Sequence, residues 1–218
     1  MDITIDFGSI IEGSNPSGEA IDNMKIKGFY MDKMFEKIDV FAKEEIEKTG
    51  MPQIYNYDVA NQKAEELAIA LGANVDLAKC GTALMDIKLG EAVKNGAQPK
   101  HVQMSAEYAK EVLEKLKVDA KTTDILLNCV LAHHGQVPYK SLEAEIVANA
   151  DAYRFISERG VFTTYKFALN IGKGHNEALD FVQFKLDEKF KILSLDLAKT
   201  ELTDLYYTFS SMIAKAHI

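Results

Sequence analysis

The stretch LAHHGQVPYKSLEAEIVANADAYRF, Leu131–Phe155, contains the strongest indication of both the fold and the function. Two adjacent histidines, His133 and His134, close one apolar segment of helical periodicity, and Asp151 lies in the middle of the next. Ionisable groups on apolar helix faces are costly to bury unless a partner compensates them. A metal ion is one such partner, and a hydrogen bond or an ion pair is another.

Helical periodicity continues on both sides of this stretch. The predicted helices are residues 28–48, 52–71, 75–89, 101–117, 120–134, 142–158, 161–171, 176–192 and 196–216. Asn74, Asp119 and Ser141 fit N-caps, and Gly50, Gly72, Gly135 and Gly160 fit C-terminal stops. Residues 1–22 predict a short extended arm and a loop. Because no predicted strand alternates with the helices, the sequence predicts an all-α bundle.

The composition limits the class of protein. A chain of 218 residues fits one domain, which we place at residues 23–218 after the arm. The net charge of −8 and the presence of only two arginines argue against a protein that binds DNA or RNA. Cys80 and Cys129 fall in apolar helical runs and are predicted to be buried free thiols. With no long apolar segment and no signal sequence, the expected location is the cytoplasm and no membrane contact is expected.

Two aspartates are predicted to face the interior. Asp86 is the only charged residue of segment 80–87, and a nearly uncharged helix is usually buried on most of its surface. From this helix alone, pairing of Asp86 with a lysine or with backbone donors is as good an interpretation as a metal site. Asp151 shares its predicted helix face with apolar residues, and an ion pair with Arg154 is an alternative role for it.

Three histidines complete the set of candidate ligands. His134 continues an apolar stripe of helix 120–134 and His133 lies on the neighbouring stripe, so both imidazoles are predicted to face inward. The helix dipole also favours a histidine near a helix C-terminus, which explains one histidine better than two. His101 opens helix 101–117, where the dipole favours a neutral imidazole that can bind metal. A solvent-facing side chain is the alternative for His101.

Together these residues give the chain a resemblance to the HD-domain superfamily, whose members are all-α metal-dependent phosphohydrolases. The resemblance spans residues 51–157 and rests on five segments in the expected order: NYDVANQKAEELAIALG (56–72), LAKCGTALMDIKLG (77–90), HVQMSAEYAKEVLEKL (101–116), LLNCVLAHHG (126–135) and SLEAEIVANADAYRF (141–155). It implies an HD-like helical bundle with a core over residues 51–157. The additional C-terminal helices, residues 158–218, are predicted to pack over this bundle, and a dimer face is the alternative.

The chain departs from the family pattern at two positions. The pattern is a histidine, then a His-Asp pair, then a distant aspartate around one divalent metal, and these positions are Asn56, Met85-Asp86 and Asp151 here. Methionine suits soft copper, and an amide carbonyl is a poor substitute for imidazole. The usual single-metal site therefore lacks two of its four ligands. The residues that match the second-metal set of two-metal members are Asp86, His101, His133 and His134.

The first functional hypothesis is a metal-dependent phosphohydrolase with an altered site, which acts on a small phosphoester or a nucleotide. Its divalent ion is expected to be Zn, Fe or Mn. The predicted metal-binding residues are Asp86, His101, His133, His134 and Asp151, of which Asp86 and Asp151 are also the predicted catalytic residues. The predicted substrate-binding residues are Asn56, Lys88, Lys140 and Arg154.

Two other functions stay open. The changes at Asn56 and Met85 fit a catalytically inactive protein of the same fold, which serves as a metal or nucleotide sensor or as an interaction scaffold. A non-haem iron oxygenase of the same fold is the third hypothesis, and it requires an iron content near two per chain. The expected partner is a small phosphorylated molecule or nucleotide, and a homodimer is an open option.

Overall fold

The computed structural model describes residues 34–218, and over this range it contains helices and no β-strand, as the sequence predicts. The predicted arm, residues 1–22, and the start of the first predicted helix lie outside the described residues. The helices are α1 (Met34–Thr49), α2 (Ile54–Leu71), α3 (Val75–Met85), α4 (Leu89–Lys94), α5 (His101–Lys115), α6 (Ala120–Ala132), α7 (Leu142–Tyr153), α8 (Glu158–Asn170), α9 (His175–Ile192) and α10 (Asp196–Ala216). A 3₁₀ turn, Gln98–Lys100, precedes α5.

The predicted N-caps are confirmed. The side chain of each accepts a hydrogen bond from the backbone N–H three residues later, which satisfies one of the free donors at a helix start; these residues are Asn74, Asp119 and Ser141. The predicted stops at Gly50, Gly72 and Gly135 have positive φ angles of 75°, 68° and 68°. The N-caps fix where α3, α6 and α7 begin, and the polar site lies at the opposite, C-terminal ends of these three helices.

The predicted stop at Gly160 is wrong, and so is the helix end at residue 158. Helix α7 ends at Tyr153, and Ser157 starts α8 by accepting a hydrogen bond of 3.1 Å from the Gly160 N–H. Gly160 lies in the first turn of α8, where a Cβ would collide with the carbonyl oxygen of Arg154. The glycine therefore allows a tight α7–α8 connection, which carries Arg154 at its start.

Helix α3 is the centre of the bundle and packs against α1, α2, α5, α6 and α7. Gly81 allows this close packing, since a Cβ there would lie 2.6 Å from Val147 Cγ2 and 2.9 Å from Cys129 Cβ. The predicted helix 75–89 is divided: α3 ends at Met85, and α4 begins at Leu89. The break places Asp86 at the C-terminal end of α3, beside the C-terminal end of α6.

The C-terminal helices pack over the bundle, as expected. Val182 and Leu186 of α9 and Leu202 of α10 share one buried cluster with Ile146 of α7. Cys80 and Cys129 are free and fully buried, which confirms that prediction. Within residues 34–218, no helix combines the length and the apolar character that a membrane crossing requires.

Candidate functional site

A cavity lies where the ends of α3, α6 and α7 meet the start of α5, with α8 and α9 forming its far side. Each end contributes polar side chains because the backbone leaves its helix there. Asp86 follows α3, His133 and His134 follow α6, and His101 is the first residue of α5. The predicted helix 120–134 is two residues too long at its C-terminus, since α6 ends at Ala132 and His133 is its C-cap. The polar groups that line the cavity include Asp86, His101, His134, Asp151, Arg154 and Lys189.

The three histidines form one cluster. A ring nitrogen from each of His101, His133 and His134 lies within 4.8 Å of those of the other two. His133 is fully buried, and the side chains of His101 and His134 are about 15% exposed. The sequence predicted these three ligands from different segments, and the fold brings them together.

Hydrogen bonds to the backbone fix the tautomers of two of these rings. His101 Nδ1 lies 2.8 Å from the Gln98 carbonyl oxygen, and His133 Nδ1 lies 2.7 Å from the Val130 carbonyl oxygen. A carbonyl oxygen only accepts, so both Nδ1 atoms carry the proton and donate it. With the proton on Nδ1, Nε2 is the atom of each ring that can offer a lone pair to a metal at the centre of the cluster.

His134 is oriented by a carboxylate instead. Its Nδ1 lies 2.7 Å from Oε1 of Glu188 and 3.1 Å from Nζ of Lys189, both on α9. The carboxylate is the nearer partner and accepts the Nδ1 proton. Burial lowers the pKa of His134 to about 4, against the opposing effect of Glu188. The ring is therefore neutral at neutral pH, and its Nε2 lone pair also points to the cluster.

Asp86 is the candidate for a fourth ligand. Its Oδ1 lies 3.4 Å from His101 Nε2 and 3.7 Å from His133 Nε2, while His101 Nε2 lies 3.1 Å from His134 Nε2. Zinc bonds of about 2.0–2.1 Å in a tetrahedral site separate neighbouring ligand atoms by about 3.3 Å. Asp86 Oδ1 and His133 Nε2 are buried and have no hydrogen-bond partner among the described residues. One carboxylate oxygen and three imidazole nitrogens at these separations can surround a cation, so the residues present fit a divalent metal.

The other side of Asp86 belongs to a network of buried charges. Arg154 Nη1 donates to Asp86 Oδ2 and to Asp151 Oδ1, both at 2.7 Å. Lys189 Nζ forms an ion pair of 2.6 Å with Asp151 Oδ2. Burial alone would raise the pKa of both carboxyls, but the adjacent cations outweigh it. They hold the pKa of Asp86 well below its usual range and lower that of Asp151 to about 2.

The predicted substrate-binding residues divide into two groups. Asn56 and Arg154 line the cavity. Lys88 does not, because its Nζ lies 2.9 Å from both Glu45 Oε2 and Glu91 Oε2, on the side of α1. Lys140 is exposed and is also absent from the cavity lining.

Met85 and Asp86 point in different directions although they are adjacent. The Met85 side chain is 2% exposed and packs with Ala60, Cys129 and Val147. A methionine at this position thus extends the apolar core and does not join the cluster of candidate ligands, Asp86 and the three histidines.

Several cavity residues were not predicted from the sequence. Lys185 and Lys189 of α9 line the cavity, and Glu188 of the same helix contacts His134 beside it. The three phenylalanines of the lining are Phe155, Phe167 and Phe181. Lys189 continues the apolar stripe of Val182 and Leu186 at helical spacing, and a lysine on such a stripe indicates a buried ion pair.

The fold and the histidine cluster can be compared with those of known proteins. Residues 60–156 match the family model of the HD domain. A solved structure of a predicted HD superfamily hydrolase from an uncultured Thermotogales bacterium superposes with a TM-score of 0.59. That match covers 83% of this chain and 89% of the other at 16% identity, which shows the fold alone.

Curated relatives match through the same region. Ribonuclease Y of Fusobacterium nucleatum is 37% identical over 89 residues, and ribonuclease Y of Fervidobacterium nodosum is 42% identical over 91 residues. These matches cover 41% and 42% of this chain but 16% of each relative. The shared part is therefore the HD domain, and most of each ribonuclease has no counterpart in the match.

Proposed function

We propose that the protein is a metal-dependent phosphohydrolase that acts on a small phosphoester or a nucleotide. One observation carries this proposal: three imidazole Nε2 atoms and Asp86 Oδ1 converge in a cavity that is also lined by buried cations. Metal ligands and phosphate-binding cations in one cavity are what phosphoester hydrolysis requires.

The ligand set favours Zn, Fe or Mn. Imidazoles and one carboxylate suit borderline divalent ions. Such an ion, when bound, lowers the pKa of a coordinated water toward about 7 and polarises a phosphoryl oxygen. The contribution of the chain is to place a proton on Nδ1 of each ring and to aim the three Nε2 atoms at one point, through Gln98 O, Val130 O and Glu188.

Cationic side chains on the cavity wall are suited to the phosphate group. Arg154, Lys185 and Lys189 line the cavity, and Thr163 and Thr164 of α8 add hydroxyl groups. Guanidinium and ammonium groups in a partly desolvated cavity bind phosphate through charge-assisted hydrogen bonds. Arg154 holds Asp151 Oδ1 and Lys189 holds Oδ2, so we assign Asp151 the role of positioning these cations.

The aromatic wall, Phe155, Phe167 and Phe181, favours a nucleotide among the possible phosphoesters. All three side chains are half-buried and line the cavity, and within residues 34–218 they lie outside the buried core clusters. The Phe167 and Phe181 ring centroids are 6.2 Å apart. Exposed aromatic faces beside cations suit a flat nucleobase attached to a phosphate.

The name of the curated relatives suggests RNA as the alternative substrate. We favour a small molecule because the chain has a net charge of −8, whereas proteins that bind RNA chains usually carry a basic surface. RNA is therefore one of the substrates to be assayed.

The test combines metal content with turnover. Protein loaded with Zn, Mn or Fe is assayed for phosphate release from nucleoside monophosphates, sugar phosphates and a short RNA. We expect hydrolysis of a small phosphoester that tracks metal occupancy and is lost in His133→Ala. His175→Ala is the matched control, because His175 is exposed and contacts Tyr165 and the Ala216 carbonyl.

Three results would contradict this proposal. Absence of turnover with every metal and substrate, in protein that binds metal, favours the non-catalytic sensor or scaffold. Turnover that survives His133→Ala places the chemistry elsewhere. If the protein cleaves RNA but releases no phosphate from small molecules, the substrate is RNA and not a small phosphoester.

A further inference from the structure

The two aspartates of the site share one guanidinium nitrogen. Asp86 follows α3 and Asp151 lies near the end of α7, so the carboxylates converge from separate helices. Arg154 Nη1 lies between them, 2.7 Å from Asp86 Oδ2 and 2.7 Å from Asp151 Oδ1. All three residues are buried, with exposures of 7%, 1% and 3% for Asp86, Asp151 and Arg154.

Converging buried carboxylates require a cation. Two carboxylates that both lie 2.7 Å from one nitrogen repel each other, and burial has removed their hydration. A positive charge between them compensates both costs. In proteins that position is filled either by a metal ion bound to one oxygen of each carboxylate or by a basic side chain. Here the basic side chain fills it.

The remaining carboxylate oxygens are also accounted for. Asp151 Oδ2 is paired with Lys189 Nζ at 2.6 Å, so both oxygens of Asp151 face fixed cations. Asp86 Oδ1 faces the imidazoles instead. Only one of the four oxygens is therefore open to a metal ion, and it belongs to the histidine cluster.

The surroundings of Arg154 offer few other metal ligands. Met85, which adjoins Asp86, packs into the apolar core. Asn56 lines the cavity with an amide oxygen, a weak ligand for borderline metals. A second ion would have to displace the guanidinium and would gain two carboxylates and little else.

We propose that the Arg154 guanidinium takes the place of a second metal ion, so that the centre binds a single divalent ion and Asp151 is not a ligand of it. This inference rests on the metal centre of the proposed function, but it concerns the number of ions and not the reaction. An arginine suits the position because its planar group stays charged at all physiological pH values and can face two carboxylates at once.

The experiment counts metal ions per chain. Metal-free protein is titrated with Zn²⁺ or Co²⁺, passed through a desalting column and analysed by mass spectrometry of the metal, with folding checked by circular dichroism. We expect one ion per chain for the wild type and for Asp151→Asn, and none for His133→Ala. For Arg154→Ala we expect two, because Asp86 Oδ2 and Asp151 Oδ1 then face each other without the cation between them, while Lys189 faces only Asp151 Oδ2.

Arg159→Ala is the matched control for the arginine. It removes the only other arginine of the chain, which is exposed and stacks 3.6 Å from the centroid of the Tyr55 ring. We expect Arg159→Ala to bind one metal ion per chain, like the wild type.

The proposal is overturned if the wild type binds two ions, or if folded Asp151→Asn loses its ion. It is also overturned if folded Arg154→Ala still binds one. Should Arg154→Ala not fold, the counts for wild type and Asp151→Asn decide. If the wild type binds one ion but hydrolyses no phosphoester, the proposed function is rejected and this inference stands. If it binds two ions and hydrolyses a phosphoester, the proposed function stands and this inference is rejected.

Discussion

Glu188 Oε1 lies 2.7 Å from His134 Nδ1, although the two residues are 54 positions apart in the chain. Glu188 is on α9, so a C-terminal helix outside the matched HD segment orients one ring of the cluster. Lys185 in turn holds the other oxygen of Glu188 at 2.7 Å. The C-terminal helices therefore take part in the site and do more than cover the bundle.

The first prediction follows from this contact. Glu188→Ala removes the acceptor that fixes the His134 tautomer, and we expect metal affinity to fall by about 10–100-fold. Asp187→Ala is the control, since the adjacent Asp187 side chain bonds to Gln183 and Tyr206 instead. Competition with a chromophoric chelator measures both. Equal affinities in the two variants would show that the contact does not support the metal.

The second prediction concerns the buried lysine. Lys189 is 1% exposed and pairs with Asp151, which is equally buried. Lys189→Met leaves that carboxylate without one of its two cations, so we expect a loss of about 3–5 kcal/mol in the free energy of unfolding. Lys191→Met, at an exposed position on the same helix, is expected to change it by less than about 0.5 kcal/mol. Urea unfolding of both variants tests the difference.

The third prediction is a pH dependence of stability in metal-free protein. The Asp151 pKa is lowered to about 2 because Lys189 and Arg154 outweigh the effect of burial. A depressed folded-state pKa contributes stability that is present above the unfolded-state value, about 3.9, and is lost as pH falls toward the folded-state value. Between about pH 4 and pH 2 we expect a loss on the order of 2 kcal/mol.

The control for this pH dependence is Asp151→Asn. The variant lacks the titrating group, so its unfolding free energy is expected to fall less steeply over the same range, in urea titrations with a chelator present. Parallel curves for wild type and variant would mean that Asp151 has the same pKa in the folded and unfolded states.

Much of the fold could be predicted from local signals. Helical periodicity and the caps at Asn74, Asp119 and Ser141 act over a few residues, so the sequence displays them directly. The histidine cluster was also predictable, because the resemblance aligned His101, His133 and His134 with one ligand set. These predictions needed no knowledge of which helices touch.

The break after α3 could not be predicted, because its cause is distant in the chain. Segment 86–88 keeps a helical pattern, yet the Lys88 backbone N–H donates to Ser105 Oγ of α5 at 3.1 Å. A side chain from another helix thus satisfies a donor that the break frees. The ion pairs of Lys88 with Glu45 and Glu91 were not predictable either, because no local pattern in the sequence reveals them. Lys88 was therefore predicted to bind the substrate.

The last prediction tests the aromatic wall as a subsite for the base. Phe167→Ala and Phe181→Ala remove half-exposed rings from the cavity, and stacking on one ring contributes about 1–3 kcal/mol. We therefore expect KM for a nucleoside monophosphate to rise by about tenfold while kcat changes little, because the rings contact the base and not the reacting phosphate.

Two controls separate this effect from a general loss of structure. Phe162→Ala removes an aromatic residue of the same helix, α8, that is 66% exposed and does not line the cavity. Ribose 5-phosphate supplies the phosphate without the base, so its KM is expected to be the same in all variants. If Phe167→Ala raises KM equally for both substrates, the aromatic wall shapes the cavity without binding a base. The wall then gives no reason to favour a nucleotide over other phosphoesters.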